Sequence, residues 1–344
     1  MKARDVRRVR KGLLKVLRSW AWWVPQVLLG VLIVLIGAYT ASKTPSFLSE
    51  FNLNSLLLAT LPLALVAMAQ VNALLVGYLD ISVGSTMTIG VIVASFLITD
   101  HATPLMMVVG VVAVLLAGVG VGIFNSLLVH WVKIPSIIAT LATLSILDGI
   151  SLLLRPIPAG LISFDFTSFL TTSVGFVPIA FVVVLILALA WDIWLHRTSA
   201  GLTLRAVGYD IRGARRLGAA TTRIRIRALI ISGVMAAVAS FFLASQIGVG
   251  DPRAGSSFAL TSIAAAALGG TSIAGGRASF VGAVIAGLFL ALIVNVLPFL
   301  GASNAFGLIS FGAVTVLGLL LYQVADIQVL VKQTWKRFRR RRTA

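Results

Sequence analysis

The sequence predicts an all-α polytopic membrane protein with about ten transmembrane helices, some of them broken or re-entrant. Composition gives two reasons: 59% of the 344 residues are hydrophobic, and only 11% are charged. The third reason is that apolar runs of roughly 20 residues, long enough to cross a bilayer, follow one another along the chain. Strands of a membrane barrel would alternate apolar and polar residues, and these runs do not.

Apolar segments can be placed along most of the chain, and glycine-rich stretches mark where some of them break. The segments are 22–41, 54–77, 83–98, 105–129, 134–154, 174–194, 226–248, 258–275, 279–299 and 306–325. The expected breaks lie at Gly77–Gly84 and Gly269–Gly282, where irregular backbone must be shielded from lipid. In the fourth segment, Gly118, Gly120 and Gly122 predict close packing against another helix.

Basic residues indicate how the chain is oriented. All Lys and Arg residues other than Lys43, Arg155 and Arg253 fall in loops, termini and helix starts on one side of the predicted segments. The positive-inside rule therefore places both termini in the cytoplasm. We expect the basic C-terminal tail to contact membrane lipid and no nucleic acid, because it is short and follows a membrane helix. The chain is divided into a cytoplasmic basic leader (1–21), a transmembrane domain (22–325) with a cytoplasmic coupling loop (195–225), and a cytoplasmic basic tail (326–344).

The coupling loop contains a predicted short helix with its own start and stop signals. Asp210 can accept hydrogen bonds from the first free backbone N–H groups, and Gly218 can adopt the left-handed conformation that ends a helix. Between them, Arg212, Arg215 and Arg216 share one face. Two interpretations remain open. The loop orients the protein and touches anionic lipid, or it is a lever through which a soluble partner moves the membrane domain.

Polar residues at membrane depth need a partner, a cavity or a capping role. Asp80 and Ser82 fit an N-cap that opens the third segment, and for Asp80 this structural role is favoured over a solute contact. Asn72 lies within the preceding segment, where we expect it to face a cavity. Asn125 bridges helices or faces a channel, and the sequence favours neither.

Asp148 is the only acidic residue of its segment. Three interpretations apply: its carboxylate reaches outer water, pairs with Arg155, or lines a path through the membrane. The external segment that follows, 155–173, is interpreted as an ordinary connection.

No signature of an enzyme is present. The chain has no cysteine, which excludes disulfides, thiolate metal sites and cysteine nucleophiles. The stretch Leu268–Gly276 is rich in glycine but lacks the spacing of a phosphate-binding loop. His101, His130 and His196 lie apart at segment ends, so we expect no metal site, no Ser/His/Asp set and no cofactor in this chain.

Four motifs follow one another in the chain: Gly77–Gly84; Phe124–Val129 with Lys133–Pro135 and Ile138–Leu141; Ala206–Asp210; and Leu268–Gly276. In this order they resemble the permease subunits of bacterial ribose-type sugar ABC importers, over about 50–325 of the chain. The resemblance implies a fold like that of type II ABC importers. Three departures are evident: Asp148 stands where these permeases often carry Arg, Ile211 stands where they are often acidic, and Asn295–Pro298 replaces a usual Asn-Gly-Leu-Asn run.

The resemblance implies a permease subunit of the bacterial cytoplasmic membrane that is not itself an enzyme. It would pair with a second permease chain, identical or related, while cytoplasmic ATP-binding subunits holding ATP and Mg dock on the coupling loop. An extracytoplasmic solute-binding protein would deliver the solute. The expected coupling residues are Arg205, Tyr209, Asp210, Arg212, Arg215 and Arg216. The expected path residues are Asn72, Asp80, Ser82, Ser85, Asn125, Asp148, Thr271 and Asn295.

The amides and hydroxyls among the expected path residues suit a small neutral hydroxylated solute, which we expect to be a monosaccharide, better than a charged one. Permeases of the same family for autoinducer-2, nucleosides or branched-chain amino acids are alternatives. An ion-coupled secondary transporter is the alternative from another class, and it would need Asp80 and Asp148 as coupling acids.

Overall fold

The computed structural model describes residues 23–302 and the helical positions 306, 309, 312, 313 and 316. The predicted leader, the predicted tail and most of the predicted segment 306–325 lie outside the described residues.

Most of the described chain is helical. The helices are α1 (Val24–Lys43), α2 (Glu50–Leu75), α3 (Val83–Leu97), α4 (Pro104–His130), α5 (Ser136–Leu154), α6 (Phe164–Thr171), α7 (Ile179–Arg197), α8 (Ser199–Tyr209), α9 (Ile211–Arg216), α10 (Thr221–Ile247), α11 (Phe258–Leu268) and α12 (Phe280–Phe299), with a 3₁₀ turn at Pro45–Leu48. Within the part of the chain that the structure describes, seven helices are long and apolar enough to cross a membrane: α1, α2, α4, α5, α7, α10 and α12. The all-α polytopic fold class is confirmed.

Both predicted breaks are present. Non-helical backbone separates α2 from α3 and α11 from α12, and α3 and α11 are too short to be counted as full spans. The predicted segment 258–275 was too long, because the helix ends at Leu268 and Gly270 has a φ of +95°. The chain thus places two short apolar helices, each next to a glycine-rich loop, inside a bundle of longer ones.

Local capping explains where several helices begin. In each case a Ser, Thr or Asp side chain accepts a hydrogen bond from a backbone N–H of the first turn, a group that has no partner within its own helix. The residues are Ser49 before α2, Thr103 before α4, Thr198 before α8, Asp210 before α9 and Ser279 before α12.

The core is built around α2, α10 and α12, and most residues in the apolar stretches of these helices are buried. The outer helices α1, α4, α5 and α7 leave apolar side chains exposed along much of their length, as expected for surfaces that meet lipid or another protein. Close packing of α4 is confirmed for two of its glycines. A Cβ at Gly118 or Gly122 would overlap the backbone of α10, whereas Gly120 faces open space.

The two ends of the bundle differ. The basic end comprises the loops 76–82, 131–135, 198–220 and 269–279 with the adjoining ends of the helices, and it holds every described Lys and Arg except Lys43, Arg155 and Arg253. The opposite end, which we name the strand end, carries β1 (Ala159–Leu161) paired antiparallel with β4 (Val249–Gly250), and β2 (Ser173–Val174) paired with β3 (Val177–Pro178). The segment 155–173, interpreted above as an ordinary connection, contains β1 and α6, and β1 is paired with β4.

Candidate functional site

The predicted helix of the coupling loop is present as α9. The Asp210 carboxylate accepts a hydrogen bond from the backbone N–H of Arg212 at 3.0 Å. At the other end, Gly218 has a φ of +86°, and the N–H groups of Gly218 and Ala219 donate to the carbonyls of Arg215 and Ala214. This pair of bonds satisfies two of the carbonyls that a helix leaves free at its C-terminus. Both capping predictions are confirmed.

Basic side chains cover the outer face of α9. Arg212, Arg215 and Arg216 are exposed and, with Ile211, line an open groove of about 570 Å³. Ala214 is buried on the opposite side and packs α9 against the rest of the protein. A buried apolar side and a solvent-facing row of guanidinium groups make α9 a surface suited to an acidic partner.

Two other predicted coupling residues lie on α8. Tyr209 is exposed at the end of that helix, and its backbone packs on Gly276. Arg205 is half-buried, and burial lowers the pKa of its guanidinium from the ordinary value, although Arg remains charged at neutral pH.

The coupling loop is joined to both helix breaks at one point, which we name the glycine joint: Gly208, Gly276 and Leu75. The N–H of Gly276 donates to the carbonyl of Leu75 at 3.0 Å. Gly208 packs so closely on both that a Cβ there would overlap the Leu75 oxygen and the Gly276 nitrogen. Gly276 itself has a φ of +77°, which glycine adopts at little cost. The end of α8, the end of α2 and the loop before α12 therefore touch without intervening side chains.

Arg225 strengthens this end of α2 and was missed in the sequence analysis. Its Nε and Nη2 atoms each donate to the carbonyl of Val76 at 3.3 Å. Its guanidinium also lies 4.2 Å from the centre of the Tyr78 ring, and that ring meets His130 edge-on. A cation beside the last carbonyls of a helix is electrostatically favourable. The signal that was available is a charge inside the first turns of an otherwise apolar helix.

Asp192, also missed, holds the start of α12 from a different helix. Its carboxylate accepts hydrogen bonds from the backbone N–H groups of Phe280 at 2.9 Å and Val281 at 3.0 Å, and from the Ser279 hydroxyl at 3.1 Å. The Ser279 hydroxyl in turn accepts from the N–H of Gly282. An anion at a helix N-terminus satisfies free donors and interacts favourably with the helix dipole. α7 is thereby tied to the second break.

Three predicted path residues meet in one buried polar network, with two further residues completing it. The Asp80 carboxylate accepts from the Ser82 hydroxyl at 2.6 Å and from the Ser232 hydroxyl at 3.0 Å. Asn125 donates to the Ser82 hydroxyl at 2.8 Å and accepts from the Thr143 hydroxyl at 2.6 Å. The network links the loop before α3 to α4, α5 and α10. Asn125 bridges helices here, which is one of the two roles left open by the sequence.

The start of α3 is held partly as predicted. Asp80 accepts from the backbone N–H of Ser82 at 3.1 Å, which agrees with its expected structural role. Ser82 does not cap the helix with its side chain, because its hydroxyl donates to Asp80 instead. The Ser85 hydroxyl donates to the Ser82 carbonyl, and Thr271 accepts from the N–H of Ser279. All of these side chains are buried.

The other two predicted path amides have partners across helices. Asn295 of α12 and Asn52 of α2 exchange two hydrogen bonds, of 2.9 and 3.3 Å. Asn72 donates to the Met68 carbonyl at 2.9 Å and lies 3.2 Å from the Met235 sulfur. Asn72 also borders a cavity of about 470 Å³, in line with its expected position.

Asp148 lacks its expected ion-pair partner, and Gln70 lacks hydrogen-bond partners. The pairing of Asp148 with Arg155 is not formed, because the Arg155 guanidinium donates to the Ser95 carbonyl and hydroxyl and stacks on the Phe96 ring. Asp148 is half-exposed on α5. Gln70 is completely buried in α2, and neither amide atom has a hydrogen-bond partner in the described part of the chain. Such a group is costly unless another state of the protein uses it.

A metal centre has no support in the described ranges, where no group of three or more His, Asp or Glu side chains is placed to hold an ion. A basic helix at one end is joined through backbone contacts to two helix breaks, and a polar network lies behind the first break.

Comparison with known proteins identifies the family. The family model described as branched-chain amino acid transport system, permease component, matches residues 52–319. The autoinducer 2 import system permease protein LsrC of Salmonella paratyphi B is 35% identical over 276 residues, covering 78% of this chain and 77% of the relative. The protein of the same name from Escherichia coli strain K12 is 38% identical over 246 residues, 69% of each chain. No solved structure matches the chain. The protein therefore belongs to the permease family of branched-chain amino acid and ribose-type ABC importers.

Proposed function

We propose that this chain forms the membrane path of an ATP-driven importer in the bacterial cytoplasmic membrane, with the basic end facing the cytoplasm. It pairs with a second permease chain. Separate ATP-binding subunits, which hold ATP and Mg, dock on the exposed arginine face of α9. An extracytoplasmic binding protein delivers the solute at the strand end. The observation that carries the proposal is the glycine joint, because it connects α8 directly to the end of α2 and to the loop before α12.

The joint supplies a route from ATP hydrolysis to the membrane interior. Movement of α9 by a partner displaces Gly208, and the backbone contacts of Gly208 pass that displacement to Leu75 and Gly276. Backbone contact leaves no flexible side chain to absorb the motion. Behind Leu75 lies the loop that carries Asp80 and Ser82, so the polar network is rearranged as well. Inward- and outward-open states would then be favoured by different contacts at this end.

The proposed solute is small, neutral and rich in hydroxyl groups. The predicted path residues supply amides and hydroxyls, and a hydroxylated solute can replace the hydrogen bonds that these groups make in the closed bundle. Autoinducer 2 is the first compound to test, because the similar permeases carry that name, and ribose is the second.

The experiment is reconstitution of the chain with the products of its neighbouring genes. The tagged chain is purified in mild detergent, copurifying proteins are identified by mass spectrometry, and uptake of labelled autoinducer 2 and of ribose is measured in vesicles with and without ATP. Arg212→Glu/Arg216→Glu should abolish ATP-driven uptake, while Arg253→Glu at the strand end should leave the ATPase subunits bound. A chain that purifies alone and transports on a proton gradient without ATP would contradict the importer and favour an ion-coupled carrier using Asp80 and Asp148.

A further inference from the structure

A cavity of about 470 Å³ lies at the basic end between α7, α8 and α10. Its walls are almost entirely apolar, and the larger side chains among them are Leu187, Trp191, Trp194, Leu204 and Ile231. Asn72 and Arg227 are the charged or amide-bearing residues that border it. Of the residues given coupling or path roles above, Asn72 borders this cavity, and the lining residues from α7, α8 and α10 have no role so far.

The chemistry of the walls does not suit a hydroxylated solute. The Asn72 amide nitrogen already donates to Met68 and contacts Met235. Hydroxyl groups placed against the remaining walls would lose their hydrogen bonds to water and gain none. Arg227, in contrast, is exposed and forms no hydrogen bond or ion pair with any residue in the described ranges. An apolar cavity beside an available guanidinium group fits an amphiphile with an anionic head.

The position of the cavity also favours an amphiphile with an anionic head. Trp191 and Trp194 lie in the last two turns of α7, and tryptophan favours the headgroup level of a membrane. The outer face of α7 exposes Val183, Ile186 and Ile193, so the cavity adjoins a surface fit for acyl chains. We propose that an anionic phospholipid of the leaflet at the basic end binds here, with one acyl chain in the cavity and its phosphate paired with Arg227.

Such a lipid would act on the coupling loop. Ala200 and Leu204 of α8 form part of the cavity wall, and α8 ends at the glycine joint. An acyl chain in the cavity therefore supports α8 from the membrane side, opposite the face on which a soluble partner would pull. This role depends only on lipid binding and is independent of the transported solute.

Fluorescence quenching tests the site. In a variant that keeps only Trp191 and Trp194, with the other tryptophans (Trp20, Trp22, Trp23, Trp131 and Trp335) changed to Phe, phosphatidylglycerol with brominated acyl chains is titrated into phosphatidylcholine vesicles. Brominated phosphatidylcholine is the reference. We expect half-maximal quenching at roughly fivefold lower mole fraction for phosphatidylglycerol, the preference that one Arg near an anionic headgroup supplies. Arg227→Gln should remove the preference, and Arg223→Gln, also exposed at the start of α10, should keep it.

Equal quenching by the two lipids, or an unchanged preference in Arg227→Gln, would overturn the proposal. Absence of quenching together with a copurifying second permease chain would show that a protein covers the cavity instead. The unmodified chain provides an independent measurement through crosslinking to a photoactivatable phosphatidylglycerol. Adducts should map to the peptide 187–204, and adducts confined to other peptides would reject the site.

Discussion

The backbone N–H of Gly276 donates a 3.0 Å hydrogen bond to the carbonyl oxygen of Leu75, and Gly208 of the coupling loop rests on both. One bond thus joins the two helix breaks at the point where the coupling loop reaches them. If the protein transmits motion from a soluble partner, the glycine joint transmits it through contacts between backbone atoms. A side chain introduced at Gly208 would push α8 away from the end of α2 and from the loop before α12.

Gly208→Ala should uncouple the protein. The added Cβ overlaps the Leu75 oxygen and the Gly276 nitrogen, and forcing extra atoms into a packed contact costs about 1–3 kcal/mol. We expect ATP-driven uptake to fall by roughly tenfold or more, with ATPase subunits still bound, since 1.4 kcal/mol corresponds to a factor of ten. Gly30→Ala is the control, because a Cβ there meets open space. Uptake equal in the two variants would show that the glycine joint does not transmit motion.

Asp192→Asn should destabilise the start of α12. The carboxylate accepts two backbone N–H bonds and one hydroxyl bond, and an amide keeps only part of that acceptor capacity and none of the charge. We expect a loss of about 1–2 kcal/mol, seen as a lower Tm in detergent. Asp165→Asn in α6 is the matched control, since Asp165 is exposed. A Tm for Asp192→Asn that equals the control would remove the interhelical capping role.

Asn125→Leu should lower stability and uptake together. The change removes the hydrogen bonds to Ser82 and Thr143 and leaves buried polar atoms short of partners, at a cost of about 1–3 kcal/mol. A second change, Thr143→Val, should then cost less than it does alone, because its partner is already gone. Tm values of the two single variants and the double variant measure this coupling. Strictly additive effects would mean that the two residues do not act as one network.

Asp148→Asn should leave stability unchanged or raise it while uptake falls. The carboxylate is half-exposed on α5, and Arg155 forms its hydrogen bonds with Ser95 instead. An acidic residue on a membrane helix lowers stability, and such residues mark the paths of solutes or ions. Tm and solute uptake are compared with those of Ser145→Ala, which alters an exposed residue of the same helix. Full uptake with a lowered Tm would reassign Asp148 to a structural role.

The long apolar helices and the short helix α9 were predictable from the sequence, because the features that specify them are local, whereas α6 and α8 were not predicted. A bilayer imposes apolar runs of about 20 residues, and these are visible without any knowledge of packing. Asp210 and Gly218 act on residues within one or two turns of themselves, so α9 could be bounded before the structure was known. The break at Gly269 could be expected from glycine alone, although the end of α11 could not be placed to the residue.

The partners of the polar residues were decided by tertiary structure. Asp192 lies 88 positions before Phe280, and Ser232 lies 152 positions after Asp80, so neither pair leaves a spacing that a sequence pattern can detect. The sequence assigned Asp80 a role at the start of α3, but it did not predict the hydrogen bond from Ser232 of α10. The sequence by itself determined the membrane class, the helical segments and the asymmetry of charge, since these depend on transfer of each segment into lipid. Only the packing of helices against one another decided which buried polar groups form hydrogen bonds with each other, because that choice depends on distances between segments that are far apart in the sequence.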